Sequence, residues 1–525
     1  MNEAARQFHR LKFRLWYFSR IHPTLGRPLR RAAEQATRGF LSGYQRKMER
    51  MGTALFPADR YERPPDVPCQ CVLLADGASA DQRRGATQLL NHLRIPFHRA
   101  SARDLEQLLD ASGESPALVV AIRLPAADAA ALLELSGRRR LHLVAFGAGA
   151  ASSSDPRVAW LEGDPADLLP YRSGLRSSLS MKFLQAIRAC EFPVVTGWLP
   201  PRVAMRVDDV AGDTCRAYVP AMIEAGWVPN LGLFMEDFKQ HASDCAPFLA
   251  ALDREQQVEV SPHAMTAYEF LFYNYKDGEP FPDEQFASMW AAARRQCEEW
   301  GLSVCPVLNA HFHAFSPNTY PLLSDAGVKY IFSELAPNGI GAEPGPRYLP
   351  SGDPLCTTGQ LDGGGMYQIH SGDPTLCCNL ADSTYDFLMH NDSGDVVAQA
   401  GRKIAERLAL SLGTGFAAFA TTHEYLLASL TRAQIAAILC EADRRLAEMP
   451  YRPAKVPLSE IGRACENHTS TVVRSVRRHD HGWTVDVTGR SAGEATLCVF
   501  GRGGVAEHAV PGFAGGCQVE VQGWA

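Results

Sequence analysis

The chain has 525 residues, 46% of them apolar and 21% charged, with a formal net charge of −6. That length holds several domains, and the composition is that of a globular protein with sizeable cores, not a disordered one. The acidic balance argues against a nucleic-acid binder built on phosphate contacts, and no apolar run reaches the ~18 residues of a membrane-spanning helix.

Residues 1–64 form a basic segment. Over 1–63 there are 14 Arg and Lys against 5 Asp and Glu, giving +9 and leaving −15 for the rest of the chain. Phe8, Leu11, Leu15 and Phe18 recur at helical spacing, so one apolar helix face is predicted here. This helix either packs on the acidic body of the protein or lies as a peripheral contact on an anionic membrane surface. The first eighteen residues carry scattered charges and no secretory h-region, which leads to the expectation of a cytoplasmic location. Fourteen cysteines without paired CxxC motifs fit reduced thiols.

Over 65–165 apolar runs alternate with helical stretches: CVLLADG, then SADQRRGATQLLNHL, ALVVAIRL and LHLVAFGAG. This predicts a doubly wound, flavodoxin-like α/β domain. With neither GxGxxG nor a P-loop, it is assigned no nucleotide site. The stretch 148–167 reads as a linker with a short edge element. From 186 to 465 the alternation resumes, with candidate strands at 202–209, 227–235, 257–263, 303–313, 328–334, 365–370 and 415–423. A long Gly/Pro loop separates the fifth from the sixth, and 433–465 reads as helical. Over 466–525 period-2 runs separated by turns predict a small antiparallel β domain resembling a sandwich.

The chemistry gathers at the ends of the central strands. They carry Asp208-Asp209, His263, then Asn309 with His311 and His313, Ser333-Glu334, His370 and His423. In parallel α/β structures the carboxyl ends of the strands share one face, and that face holds the active site. Imidazoles and carboxylates gathered on one rim suit a metal-assisted hydrolase.

RVDDV at 206–210 resembles the Asp-Asp motif of the polysaccharide deacetylase (NodB-homology) family, whose usual form is TFDDG. FHAFSPNTYPLLSDAGVKYIFSE at 312–334 and FATTHEYLL at 419–427 resemble later motifs of the same family. The resemblance spans about 190–430 and implies a distorted (β/α)7 barrel, matching the seven strands counted above. It implies Asp208 as general base, Asp209 and His263 as ligands of a divalent metal, commonly zinc, and His423 as general acid. The family's second motif, His-x-x-x-His, is broken here, because Ala267 stands at the second position. His311 or His313 is left to complete the ligand set. The usual third-motif Arg is not apparent.

The implied function is removal of N-acetyl, or alternatively O-acetyl, groups from a polysaccharide or glycan precursor. The aromatic segment 266–278 is the candidate sugar groove. Two readings stay open beside it. One is a glycoside hydrolase pairing Asp208 with Glu334 or Glu236. The other is an inert glycan-binding or assembly protein.

Overall fold

The computed structural model describes residues 61–111, 118–123, 126–139, 141–147, 157–169, 177–189, 194–197, 201–274, 280–311, 319–333, 361–362, 366–368, 378–381, 387–388, 395–415, 418–449, 452–479, 481–491, 493, 495–501 and 504–522. The expected helix over the first eighteen residues, His313, Glu334 and His370 lie outside them.

The first sheet is fully parallel. Strands β1 (Cys71–Leu74), β2 (Phe97–Ala100), β3 (Leu118–Ile122), β4 (His142–Phe146) and β5 (Val158–Leu161) lie in the order 2-1-3-4-5, that of doubly wound flavodoxin-like sheets. Helices α1 (Ala80–His92), α2 (Leu105–Ala111) and α3 (Ala126–Arg139) connect them. Strands β1, β3 and β4 are buried throughout because both faces of the sheet are covered there. Cys71 and Leu73 enter one core, Val72 and Leu74 another. The edge element expected near 158 is β5.

After α4 (Ser178–Arg188) and β6 (Val194–Thr196) comes a second set of strands. These are β7 (Arg202–Val210), β8 (Pro229–Phe234), β9 (Glu259–Ala264), β10 (Val307–Asn309) and β11 (Tyr330–Ser333). They alternate with α5 (Cys215–Glu224), α6 (Met235–Arg254), α7 (Asp283–Glu299) and α8 (Tyr320–Asp325). Then follow β12 (Leu361–Asp362), β13 (Met366–Gln368), β14 (Cys378–Ala381), α9 (Val396–Gly413), β15 (Ala418–His423), α10 (Glu424–Leu427), α11 (Arg432–Leu446) and β16 (Ala454–Lys455). One parallel sheet runs β15-β7-β8-β9; another runs β10-β11-β14, with β13 and β12 added antiparallel. A parallel bridge from Val260 to Val304 joins the two between β9 and β10. Among the described residues no pairing joins β14 to β15, and these residues form two parallel sheets joined at that bridge.

Three expectations are corrected. The sixth parallel position belongs to β14, while 365–370 supplies β13, which runs antiparallel to it. The helix expected over 433–465 is two helices, α11 and α12 (Leu458–Ser470). Pro450, Pro453 and Pro457 interrupt it, and the extended link between them pairs with β7 as β16. A disulfide joins Cys215 of α5 to Cys245 of α6, against the expectation of reduced thiols. The two cysteines stand 30 residues apart and meet only because the helices pack side by side.

The C-terminal strands β17 (Thr471–His479), β18 (Gly482–Ser491), β19 (Ala495–Gly501), β20 (Gly504–Val510) and β21 (Phe513–Gln522) form two antiparallel sheets, β17-β18-β21 and β20-β19-β6. Strand β6 is thus lent from far upstream, with Thr196 pairing Cys498, 302 residues on. Val473, Val485, Val499 and Phe500 share one core with Cys71, Leu73, Phe97 and Val120 of the first sheet. Arg94 donates to Thr471 O at 2.6 Å, and Val195 N donates to Gln70 Oε1 at 2.9 Å. The first sheet and the C-terminal sheets therefore pack together. No helix among the described residues is long and apolar enough to cross a membrane.

Candidate metal centre

The site lies where β7, β9, β10 and β15 end. Along β7 the side chains of Arg206 and Asp208 share a face, and alternation would send Asp209 to the other. It does not go there. Asp209 has φ +57°, in the left-handed region, and the β7–β8 register shifts between Val207 and Val210. This bulge turns both carboxylates toward one rim. A left-handed, non-glycine residue held in this way is typical of functional sites.

Asp209, His263 and His311 come together. Asp209 Oδ1 lies 3.3 Å from His263 Nε2 and 3.2 Å from His311 Nδ1, and the two ring nitrogens are 3.2 Å apart. A tetrahedral zinc with donors at ~2.0–2.1 Å spaces those donors ~3.3–3.4 Å apart, so the triangle has the size of one face of such a site. His263 Nδ1 is 3.0 Å from Asn309 O. A carbonyl only accepts, so Nδ1 carries the proton and Nε2 presents its lone pair to the triangle. Burial pulls His311 below its ordinary value, against the pull of Asp209, and keeps that ring neutral near pH 7. Burial works against an ionised Asp209, but the neighbouring His311 and His263 imidazoles outweigh it and hold the carboxyl well below its usual range. The donor set therefore fits a divalent cation: one carboxylate oxygen and two imidazole nitrogens, with the histidines buried. Phe234 stacks on His263 and meets His311 edge-on, and Phe270 packs on His311. These rings fix the imidazoles and lower the local dielectric.

Asp208 sits beside the triangle at 3% exposure. Arg206 Nε donates to its Oδ1 at 2.6 Å, and Asn309 Nδ2 donates to its Oδ2 at 2.7 Å. Each oxygen keeps a second lone pair for water. Burial pushes Asp208 up, but Arg206, with His263 and His423, more than offsets it, and the carboxyl stays below its usual value. Arg206 is itself fully buried, and donates onward to Asn230 Oδ1 and, at 3.2 Å, to Ser261 Oγ. Asn230 Nδ2 donates to Glu259 Oε2 at 2.9 Å. His423, the last residue of β15, is the register partner of Asp208, and its charge lowers both aspartates.

Sequence reasoning placed Asp208, Asp209, His263, His311 and His423 on one rim, and the structure brings them there. It did not assign Arg206 or Asn230. The signal for Arg206 was present: a charged residue within the apolar run RVAMRVDD, two positions before Asp208 and hence on the same face. Of the expected groove segment 266–278, residues 275–278 lie outside the described residues. Phe270, Leu271, Phe272 and Tyr273 are buried, and Tyr268 is exposed. Glu236, offered for a glycosidase pair, accepts from Gln296 and faces Lys239.

No protein-family model matches the chain, and no curated protein matches it. Solved structures similar to it include one from Mycobacterium smegmatis assigned as a polysaccharide deacetylase, with 13% identity and a TM-score of 0.34, covering 52% of this chain and 91% of that one. A family 4 carbohydrate esterase from Streptomyces lividans, in complex with acetate, is 10% identical with a TM-score of 0.28, covering 47% and 89%. A structure from Parabacteroides distasonis assigned as a glycoside hydrolase/deacetylase is 11% identical with a TM-score of 0.33, covering 57% and 81%. These likenesses are remote, and the chemistry is carried by the atoms of the site itself.

Proposed function

We propose that the protein is a metal-dependent hydrolase that removes N-acetyl groups from a polysaccharide or glycan precursor. The observation that carries this reading is the triangle of Asp209, His263 and His311 with Asp208 beside it, 3.6 Å from His263 Nδ1. Asp209, His263 and His311 would hold the cation, with zinc the natural choice for one oxygen and two nitrogen donors. When bound, such a cation supplies Lewis acidity, polarising an acyl carbonyl and acidifying water.

The protein's own groups supply the proton transfers. Asp208 takes a proton from the attacking water, and its low pKa keeps it ready for that at neutral pH. The hydroxyl adds to the acyl carbon, the C–N bond breaks, and His423 gives a proton to the departing amine. Acetate and a free amine result. Base and acid need opposite protonation states at one pH, which a depressed carboxyl and an imidazole meet together.

The test combines metal analysis with acetate release from N-acetylglucosamine oligomers. Asp208→Asn should lower turnover by ~10²–10⁴-fold with metal content intact. His263→Ala and His311→Ala should each lose the metal. Full metal content in both histidine variants would overturn the ligand assignment. Absence of acetate release from the metal-replete protein would favour the inert binding reading.

A further inference from the structure

Strand β7 pairs with β15 in parallel register as far as Asp208 opposite His423, and there that ladder ends. The bulge beyond it returns Val210 to β8, opposite Leu233. The next two amides, of Ala211 and Gly212, have no partner in the β15 ladder, although Gly212 is buried. A buried amide without an acceptor keeps its full desolvation penalty. A side chain takes both amides instead. Glu424, the first residue of α10 and next after His423, accepts Ala211 N at 2.5 Å and Gly212 N at 2.9 Å on the single oxygen Oε2. Glu424 is 2% exposed.

Successive N–H groups aimed at one oxygen form a small anion-binding nest, and a carboxylate accepts such bonds more strongly than a neutral oxygen. The loop is also seated from the side of α6. Gly212 has φ +91°, and a Cβ there would stand 2.8 Å from Cδ2 of the buried Phe238. The loop therefore cannot shift toward α6, and Glu424 keeps it from lifting away. Tyr218 of α5 is fully buried near the carboxylate. Burial and the charge of Glu424 raise its phenol well above the ordinary value, so the hydroxyl stays protonated there. Burial also raises the carboxyl of Glu424, against the pull of the two amides. A neutral side chain would cap two amides at less desolvation cost; the carboxylate holds them more firmly.

The held loop begins two residues after Asp209, whose left-handed backbone is unfavourable for a residue with a Cβ. Relaxation of that backbone would swing the carboxylate away from His263 and His311. We propose that Glu424 is a positioning residue for the metal centre, clamping the loop behind the bulge so that Asp209 stays in the ligand triangle. This rests on the metal-centre reading for the identity of the triangle. Glu424 touches none of the three ligands and acts through the amides of Ala211 and Gly212. Because it is bonded directly to His423, the same contact ties the strand end of the proposed acid to the bulge that carries the ligand.

Zinc affinity, read by competition with a chromophoric chelator, tests this without substrate or turnover. Glu424→Ala should weaken it ~10–100-fold, as when a group that orients a ligand is lost. Glu424→Gln keeps one acceptor oxygen without the charge and should weaken it about three- to tenfold. A merely stabilising role would lower the urea midpoint and leave the zinc affinity of the folded protein unchanged. Hydrogen exchange of the metal-free protein is the second measurement. The peptide over 209–214 should exchange ~10-fold faster or more in Glu424→Ala, with the peptides of β1 to β4 unchanged. If Glu424→Ala does not fold, Glu424→Gln carries both measurements. Weaker zinc binding with faster exchange supports the clamp even if no acetate is ever released. Native zinc affinity in both variants overturns it even if the protein is a deacetylase. If the native protein binds no zinc, the hydrolase reading fails and the exchange decides the clamp alone: unchanged exchange over 209–214 in both variants overturns it.

Discussion

Arg206 holds the carboxyl of Asp208, the proposed base, below its usual value. Its guanidinium, fully buried, hydrogen-bonds Asp208 and is itself held by Asn230 and Ser261. Replacing it with Met removes the charge that lowers Asp208 and leaves the burial that raises it. The carboxyl must then ionise at higher pH, and only the ionised form can accept the proton of water. The acid limb of kcat/KM is therefore expected to move to higher pH in Arg206→Met, with Arg206→Lys in between. An unshifted limb would separate Arg206 from the base. Folding stability should fall by ~3–5 kcal/mol in Arg206→Met, as when one member of a buried ion pair is removed. Urea titration measures that loss.

At the scale of the element, the site depends on how β7 and β8 lie together. Gly232 of β8 faces the Arg206–Asp208 pair, where a Cβ would overlap Arg206 Nη2 and stand 2.6 Å from Asp208 Oδ1. Both contacts are closer than real carbon atoms allow, and neither partner can retreat from a filled interior. Gly232→Ala is expected to cost ~1–3 kcal/mol and to lower kcat by displacing the base. Metal content should stay unchanged, because the three atoms nearest the added methyl belong to Arg206 and Asp208 and not to Asp209, His263 or His311. Loss of metal in that variant would show that the bulge itself had shifted. The bulge is an element-scale device as well. Without the left-handed turn at Asp209, the second carboxylate would face away from the histidines.

The whole molecule is held by contacts between distant parts of the chain, and one of them is sensitive to pH. His92, at the end of α1, is buried and its Nε2 donates to Thr414 O at 2.6 Å, just past α9. This joins the first sheet's layer to the layer around the metal centre. Burial lowers the His92 pKa from 6.5 to about 4, outweighing that hydrogen bond. The unfolded chain therefore binds the proton more readily than the folded one between those two values. Stability is full above pH 6.5 and declines as pH falls toward 4, by about 3 kcal/mol in all. His92→Gln should flatten this limb in urea titrations run across that range. A native-like limb in the variant would place the acid sensitivity elsewhere.

The doubly wound first sheet, the antiparallel tail and the convergence of Asp209 and His263 at neighbouring strand ends were legible in the sequence. They follow from local patterns: continuous apolar runs for strands buried on both faces, period-2 alternation for the tail, and polar residues collected at strand ends. Three further features depended on tertiary structure. The broken His-x-x-x-His motif left the third ligand open between His311 and His313; the neighbouring ends of β9 and β10 bring His311 to Asp209 and His263, while His313 lies outside the described residues. The sixth parallel strand was β14 and not 365–370, because hydrogen bonding to β11 across a long loop is a non-local choice that propensity does not encode. The shared core of the first sheet and the C-terminal sheets, with β6 lent to one of the latter, joins residues hundreds of positions apart. Local pattern specifies which face of an element is apolar; what covers that face is decided only when the elements meet.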